Sequence, residues 1–331
     1  MEKVIAVIVT HNRQAHLANC IAALRTQTHP LDAILVVNNA STDNTAFWLD
    51  NQYDVEHLIQ ENMGSAGGFQ AGMEWAYQRG FTWMWCMEDD SLPAANALEK
   101  LLDQDNGQPA LLNSILVNKL DRTALVHPFH QQHLIQNIQE QVLEGVAYPF
   151  NGSLIHRSIV TKVGLPNGSM FIKGAETEYL YRITKQHQIP ARTVVSSIHY
   201  ASPASDIGMG QWSTDHYWKF YFFIKNRKRI FELQYGHAIL SGCMFLGYVF
   251  KMTARTFFSA QPQRRKKINL MLSAMVDAFY PFSTQSTVPM KQSLHPHQMT
   301  LVPRMVSNAC KKAYYSIFFP AAYLQQDSMA A

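Results

Sequence analysis

Cysteine is scarce in this sequence. The four cysteines, Cys20, Cys86, Cys243 and Cys310, lie far apart and match no metal-binding or disulfide spacing. This pattern argues against a disulfide-rich secreted fold and is typical of a reducing compartment such as the cytosol. Met1-Glu2-Lys3 leads straight into a strand-like segment, so we expect no secretory signal peptide.

Long hydrophobic runs are also missing. The apolar stretch over 238–250 is too short to cross a bilayer, which takes about 20 residues. We find no internal repeat and no low-complexity segment. At 331 residues, with 47% hydrophobic and 16% charged positions, the chain can bury one large core or two modest ones.

Acidic residues become rare in the last part of the chain. Residues 1–205 hold 13 Lys and Arg against 19 Asp and Glu, a net charge of −6. Residues 206–331 hold 15 against 5, a net charge of +10. An acidic part followed by a basic, aromatic-rich part predicts an anionic partner for the second, and nucleic acid and anionic lipid both qualify.

Strand and helix patterns alternate along the first 90 residues. Unbroken apolar runs predict buried strands over 4–10, 33–37 and 83–87, with a short strand at 57–59. Apolar residues three and four positions apart predict helices between these strands, over 15–26, 45–52 and 64–79. This alternation predicts an α/β fold with a parallel sheet and helices on both faces.

Polar residues follow three of these strands, and they predict a binding site. They are Thr10-His11-Asn12, Asn38-Asn39 and Glu88-Asp89-Asp90. Ligands of such sheets bind beyond the carboxyl ends of the strands. Three adjacent acids after a buried strand are costly unless a cation meets them, and oxygen ligands suit Mg²⁺ or Mn²⁺. The alternative is a solvated acidic turn.

The glycines at 64, 67, 68 and 72 suggest a dinucleotide-binding fingerprint. That fingerprint should follow the first strand and precede an acid that ends the second strand. Here the glycines follow the third strand, and the second strand ends in Asn38-Asn39. The spacing therefore argues against a dehydrogenase.

Three sequence blocks in this order resemble the family 2 glycosyltransferases of the GT-A fold. They are VIVTHNR at 7–13, VVNNASTD at 36–43, and NMGSAGGF at 62–69 followed by MEDD at 87–90. The resemblance covers roughly residues 3–205. The third block, together with FIKGAETEY at 171–179, looks like the subgroup that transfers galactofuranose or rhamnose to bacterial surface glycans.

The resemblance implies a site for a divalent metal, Mn²⁺ or Mg²⁺. Glu88 and Asp90 match the outer positions of the family's acidic triplet, with Glu in place of Asp at the first, and Asp89 stands between them near the donor. In similar enzymes a histidine near the position of His199 completes the metal site. A structural role for this histidine is the alternative.

The resemblance also implies a catalytic base and a donor site. Glu176 matches the base of the galactofuranosyltransferase pattern, while Ala175 replaces the preceding acid and Glu178 is equally eligible. The nucleotide-sugar donor would be held by residues from the strand ends and the third helix: Thr10, Asn12, Arg13, Asn38, Asn39, Asn62 and Gly64.

The implied activity is an inverting, metal-dependent transfer of a sugar to a growing bacterial surface glycan such as O-antigen. Galactofuranose from a UDP donor is the first expectation, and rhamnose from a dTDP donor is the alternative. A nucleotidyltransferase would need a Gly-x-Gly-Thr-Arg loop after the first strand, which is missing. A non-catalytic glycan- or membrane-binding protein remains a third class, because two family acids are altered.

Residues 206–331 are predicted to form a helical region after a catalytic domain over 1–205. Processive synthases of the superfamily carry a Gln-x-x-Arg-Trp motif, whereas here there is only Gln211-Trp212, so we expect a transferase that adds one or a few sugars. Basic and aromatic clusters occur at 217–231, 264–267 and 313–319.

These clusters predict a cytoplasmic protein that lies peripherally on the inner face of the cytoplasmic membrane, where a lipid-linked or glycan acceptor is presented. We expect no nucleic-acid partner. The oligomeric state is left open.

Overall fold

The computed structural model describes residues 2–129, 132–202, 217–259 and 262–279, and the structural statements below concern these residues. Cys310 and the aromatic cluster at 313–319 lie outside them, as does Gln211-Trp212. The expected division between domains near residue 205 also falls in an undescribed stretch and stays a prediction.

Within the described ranges, eleven strands join in one sheet. They are β1 Val4–Thr10, β2 Ala33–Asn39, β3 Glu56–Gln60, β4 Trp83–Glu88, β5 Leu92–Pro93, β6 Leu111–Asn118, β7 Ala124–Phe129, β8 Gln132–Leu134, β9 Val142–Glu144, β10 Ser153–His156 and β11 Ala191–Ala201.

The helices of the same ranges lie between these strands and after them. They are α1 Gln14–Arg25, α2 Thr45–Asp50, α3 Gly64–Gln78, α4 Ala97–Leu102, α5 Arg157–Val163, α6 Ala175–Tyr181, α7 Tyr217–Tyr235, α8 Ala238–Phe258 and α9 Arg264–Ala278. A π-helical turn, Arg182–Gln186, extends α6.

The sheet has a parallel part and a mixed part. Its strand order is β3-β2-β1-β4-β10-β6-β11-β5, and the first four strands are parallel. β10 runs antiparallel to both of its neighbours, β4 and β6. The predicted α/β fold is therefore confirmed, and the predicted strands and helices of the first 90 residues lie within a few residues of their expected ends.

Two hydrophobic clusters cover the two faces of the parallel part. The β1 side chains alternate, so that Ile5 and Val7 pack with α3 on one face while Ala6 and Ile8 pack with α1 on the other. Helix α3 comes unusually close to the sheet. A Cβ on Gly72 would stand 2.5 Å from Cγ1 of Val7, so glycine permits this approach.

Helices α7, α8 and α9 form a third cluster that includes Phe171 from the loop before α6. In the described residues, no helix is both long enough and apolar enough to cross a membrane. The apolar stretch predicted over 238–250 belongs to the longer helix α8. The basic cluster at 264–267 opens α9, but Lys267 is only 3% exposed, so the expectation that all four basic side chains face an anionic surface is wrong for that residue.

Candidate functional site

The carboxyl ends of β1, β2 and β4 meet at one edge of the sheet. In the strand register, Thr10 is the partner of Asn38, and Glu88 is the partner of Val9. Hydrophobic runs buried on both faces fix these strands in the centre of the sheet, and their first polar residues emerge together. The polar strand ends of β1, β2 and β4 therefore lie together at one edge of the sheet, and the binding site expected there stays a prediction.

Asp89 ties the ends of β1 and β4 together. Its carboxylate accepts hydrogen bonds from Oγ1 of Thr10 at 2.8 Å and from Nη1 of Arg13 at 2.9 Å. Burial raises the pKa of Asp89 above its ordinary value, and the bonds from Thr10 and Arg13 oppose that rise. Both of its oxygens are thus engaged inside the protein, and Arg13 remains 46% exposed beside them.

Glu88 lies among other carboxylates. Burial raises its pKa to about 7, and the negative charges of Asp90, Glu176 and Asp89 add to the rise. The contribution of Glu176 means that its charge is felt at the acidic end of β4, Glu88-Asp89-Asp90, which we call the acidic strand end. Glu88 and Glu176 thus interact electrostatically although they are far apart in sequence.

Asp90, at the end of β4, interacts electrostatically with His199 of β11. Oδ2 of Asp90 accepts a hydrogen bond from Oγ of Ser202 at 2.8 Å and lies 3.4 Å from Nη1 of Arg13. His199 is fully buried, which lowers its pKa to about 4, while Asp90 opposes this shift. The imidazole is therefore neutral at physiological pH and able to act as a ligand.

Both ring nitrogens of His199 are buried without a hydrogen-bond partner in the described part of the chain. Such orphaned nitrogens are costly, and a metal ion near Asp90 would satisfy one of them. Among the described residues, however, no three His, Cys, Asp or Glu side chains come together as a metal-binding group. The predicted set of Glu88, Asp90 and His199 is thus not assembled as a closed three-ligand site.

The asparagines of the site differ in what they bind. Asn12, at a φ of 56°, accepts hydrogen bonds from the loop after β2, including one from the Thr42 amide at 2.6 Å. Asn39 donates to the Gly64 carbonyl at 2.9 Å and accepts from Gln60. Asn38 accepts from the Ser41 amide, and its buried Nδ2 has no partner within the described ranges.

Asn62 and Gly64 shape the start of α3. Oδ1 of Asn62 accepts from the Gly64 amide at 3.1 Å, and the Ala66 amide donates to the Phe171 carbonyl at 3.1 Å. A Cβ on Gly64 would stand 2.1 Å from that same carbonyl oxygen, so only glycine allows α3 to meet the loop before α6. The amides of Gly64 and Ala66, at the start of α3, therefore donate hydrogen bonds within the protein. We had expected this helix start to face the donor.

Glu176 and Glu178 have different environments. Oε2 of Glu176 accepts a hydrogen bond from the Gly174 amide at 3.1 Å, and its side chain is partly buried. Glu178 is 1% exposed and pairs with Nε of Arg182 at 2.9 Å and Nε of Arg229 at 3.5 Å. Glu178 is committed to ion pairs, which leaves Glu176 as the carboxylate beside the acidic strand end.

Lys219 is a cation of the site that sequence patterns missed. Burial lowers its pKa, the nearby charges of Lys173 and Arg13 lower it further, and Glu88 opposes them. Lys219 therefore interacts electrostatically with Glu88 and with the cations Lys173 and Arg13. In the sequence it stands inside an aromatic stretch, where its spacing gives no signal of a link to Glu88.

The chain is similar in sequence to known glycosyltransferases. Residues 5–153 match the family model described as Glycosyl transferase family 2. The chain is 28% identical over 227 residues to galactofuranosyltransferase GlfT1 of Mycobacterium tuberculosis, covering 62% of this chain and 72% of that protein. It is 29% identical over 209 residues to GlfT1 of Mycolicibacterium smegmatis, covering 56% of this chain and 66% of that protein.

Solved structures share the fold. S. aureus TarS 1–349 superposes with a TM-score of 0.54 at 10% identity, covering 83% of this chain and 80% of that one. Its complex with UDP gives a TM-score of 0.54 at 12% identity, covering 84% of this chain and 81% of that one. At such identities the likeness concerns the fold alone.

Proposed function

We propose that this chain, a glycosyltransferase of family 2, transfers galactofuranose from UDP-galactofuranose to a growing bacterial surface glycan such as O-antigen, with inversion at the anomeric carbon. The observation that carries the proposal is the similarity of the chain to GlfT1, and the electrostatic interaction of Glu176 with Glu88 at the acidic strand end supports it. Rhamnose from dTDP-rhamnose is the alternative donor. The catalytic domain spans residues 1–205 in this proposal, and the helical region spans 206–331.

The reaction needs a base on one side of the sugar and positive charge on the other. An acceptor hydroxyl attacks the anomeric carbon, its oxygen forms the new glycosidic bond, and the bond to the nucleoside diphosphate breaks. Glu176 takes the hydroxyl proton. Arg13 and Lys219 stabilise the negative charge of the leaving diphosphate, since Arg13 pairs with Asp89 and Lys219 interacts electrostatically with Glu88.

Asp90 and His199 are the residues that would hold Mn²⁺ or Mg²⁺, and Glu88 would be a further ligand. The unpartnered ring nitrogens of His199 support this assignment, as does its electrostatic interaction with Asp90. Such ions often bind through one or two protein groups together with substrate phosphates, so a closed three-ligand set is not required. When bound, the ion would neutralise charge on the diphosphate as a Lewis acid.

Nucleotide contacts follow from the same edge of the sheet. Asn38 offers an unpartnered amide to the donor, and Thr10 and Asp89 keep Arg13 in place. Asn12 and Asn39 act on the donor indirectly, because their polar atoms hold the surrounding loops.

A donor screen tests the proposal. Purified protein, a lipid-linked or glycan acceptor and each candidate donor are incubated with Mn²⁺ or Mg²⁺, and release of UDP or dTDP is measured. Acceptor-dependent release of UDP from UDP-galactofuranose is the expected result. Turnover of dTDP-rhamnose alone would establish the alternative, and exchange of nucleotide with pyrophosphate without any sugar acceptor would contradict the proposed function.

Helix α8 supports a further part of the proposal, a peripheral association with the inner face of the cytoplasmic membrane. One of its faces packs Phe245 and Val249 against α7 and α9. Its other face exposes large hydrophobic side chains, and its sequence contains no acid. The most exposed of these side chains are Ile239 at 74%, Phe250 at 75%, Phe257 at 59% and Phe258 at 84%.

Basic residues flank this hydrophobic face. Lys251 and Arg255 are exposed on α8, and Arg264, Arg265 and Lys266 are exposed at the start of α9. Exposed aromatic and aliphatic side chains beside cations are typical of helices that lie in the interface of an anionic leaflet. A lipid-linked acceptor would be presented at the same membrane.

A further inference from the structure

The loop that precedes Glu176 has an unusual backbone. Phe171, Lys173 and Gly174 all adopt positive φ values, of 62°, 60° and 106°. Two of these residues have side chains, for which this region is sparsely populated and strained. Such a conformation persists only where the surrounding structure holds it. We call residues 170–174 the base loop.

One side chain from the C-terminal region holds the base loop. Asn226 of α7 is 5% exposed, and its Nδ2 donates to the carbonyls of Met170, Ile172 and Lys173, each at 2.9 Å. The amide carries only two hydrogens, so the three acceptors share them. A small, neutral group with two donors on one atom meets this need, and few side chains provide it.

The rest of α7 fits closely around the same loop. Phe222 stacks on Phe171 with ring centroids 4.8 Å apart. A Cβ on Gly174 would lie 3.1 Å from Cδ1 of Ile230 and 3.5 Å from Cβ of Asn226. The loop therefore lies against α7 without spare room, and Asn226 stands at the centre of the contact.

Glu176 depends on this loop for its position. Its Oε2 accepts the hydrogen bond of the Gly174 amide, so the left-handed turn at Gly174 sets the direction of the carboxylate. A change in the loop would move the carboxylate away from the acidic strand end. Geometry of this kind matters, because a misplacement of 1 Å can cost about 10²-fold in rate.

We propose that Asn226 is a positioning residue, which holds the base loop so that Glu176 reaches the acceptor hydroxyl. The inference rests on the proposed function of Glu176 as the base. It assigns a catalytic contribution to the helical region after residue 205, through hydrogen bonds to backbone carbonyls rather than contact with a substrate.

Asn226→Asp is the sharpest test, because the two side chains have nearly the same shape. The carboxylate would face three carbonyl oxygens and could donate no hydrogen bond to them. We expect kcat for transfer to fall by about 10²-fold, while KM for the donor stays within about twofold. Gln234→Glu is the matched control, since it makes the same chemical change at an exposed position of α7. Its kcat and KM should equal those of the wild type.

A double-mutant cycle separates positioning from a general structural effect. If Asn226 acts through Glu176, Asn226→Asp should lower kcat by less than about threefold in a Glu176→Gln background. A loss as large as in the wild-type background would overturn the inference, because the damage would then not pass through Glu176. Wild-type kcat in the single variant Asn226→Asp would also overturn it, while leaving the proposed base intact if Glu176→Gln is impaired.

Unimpaired turnover in Glu176→Gln would instead contradict the proposed base, and with it the inference. Should Asn226→Asp fail to fold, Asn226→Ala replaces it. This variant removes the shared donor without adding a charge, and the same cycle and criteria apply.

Discussion

At the scale of single residues, two acids of α6 with similar sequence signals have different tasks. Glu178 is buried in ion pairs with Arg182 and Arg229, whereas Glu176 lies near Glu88 and accepts a hydrogen bond from its own helix start. The position of a carboxylate relative to cations decides between these tasks. A general base must also lie within hydrogen-bond reach of the proton that it takes, and the ion pairs of Glu178 turn its carboxylate to Arg182 and Arg229 instead.

Glu176→Gln should lower kcat by about 10²–10⁴-fold, the usual contribution of a general base, with donor binding little changed. Glu178→Gln should mainly lower stability, by about 1.5–3 kcal/mol, because hydrogen bonds to a charged partner are weakened. Steady-state kinetics and urea denaturation of both variants make the comparison. Reversal of the two effects would place the base at Glu178. The match of this segment to the galactofuranosyltransferase pattern would then be wrong by two residues.

Asp90→Asn should abolish metal-dependent turnover and leave the fold intact. The amide cannot replace the charge of a carboxylate toward a divalent cation, although it can still accept the hydrogen bond of Ser202. Binding of Mn²⁺ in the presence of UDP, followed by calorimetry, should weaken in parallel. Near wild-type turnover and Mn²⁺ affinity would remove Asp90 from the metal site.

At the scale of elements, α7 joins the catalytic core to the last two helices. It contacts the base loop through Asn226 on one side and α9 on another, where Tyr221 donates a hydrogen bond to Asp277. Lys225 is buried between these contacts. Burial lowers its pKa to about 7, while the charge of Asp277 opposes the shift.

The low pKa of Lys225 predicts a pH-dependent stability. Between about pH 7 and the ordinary lysine pKa of 10.5, the unfolded chain holds a proton on this amine that the folded chain has lost. The unfolded state thus binds more protons, so this residue makes the free energy of unfolding rise with pH, by up to about 1.4 kcal/mol per unit. Below about pH 7, Lys225 carries its proton in both the folded and the unfolded chain. The folded state then bears the full free-energy cost of burying the charged amine.

Lys225→Met should remove this dependence. The difference in unfolding free energy between the variant and the wild type should favour the variant most near pH 6.5 and shrink as pH rises to 9. Urea denaturation at each pH measures it, and Lys251→Met on the exposed surface of α8 is the matched control. A difference that stays constant over this range would mean that the amine keeps its charge in the folded protein.

At the scale of the whole molecule, charge and hydrophobic exposure are divided along the chain. The first 205 residues carry a net charge of −6 and contain the acidic strand end, whereas the remainder carries +10 and contains the exposed face of α8. The first part suits a site that binds cations and nucleotides. The second suits an anionic surface, and α7 holds the two parts together.

Sedimentation with liposomes tests the membrane proposal. The protein should bind vesicles that contain anionic lipid at low salt and be largely released at high salt, since each basic residue near such a surface contributes about 1 kcal/mol and salt screens it. Replacing Arg264, Arg265 and Lys266 with Gln should weaken binding, as should Phe250→Ser. Activity on a soluble acceptor should not change in either variant.

Lys267 stays unchanged in these variants because it is buried, and its replacement would confuse folding with binding. Binding that ignores salt, lipid charge and these substitutions would contradict the proposal. It would mean instead that these residues serve the acceptor glycan or a partner subunit.

The sequence by itself determined the parallel part of the sheet and the edge where the site lies. Val4–Thr10, Ala33–Asn39 and Trp83–Glu88 are apolar until their polar ends, and such runs between helical patterns predict central parallel strands. The carboxyl ends of parallel strands meet at one edge, which places Thr10, Asn38 and Glu88 together. These are consequences of local pattern and of the geometry of parallel sheets. The resemblance of three blocks pointed to the family 2 glycosyltransferases, whose family model matches residues 5–153.

Only the tertiary structure decided what each polar residue does at that edge. Asp89 and Asn39 use their polar atoms within the protein, Glu178 pairs with Arg229 from α7, and Asn226 holds the loop before Glu176. These partners are 50 or more residues apart or meet across separate elements, and no periodicity encodes such pairs. Their hydrogen bonds and ion pairs depend on how helices pack against the sheet, which is a property of the assembled chain.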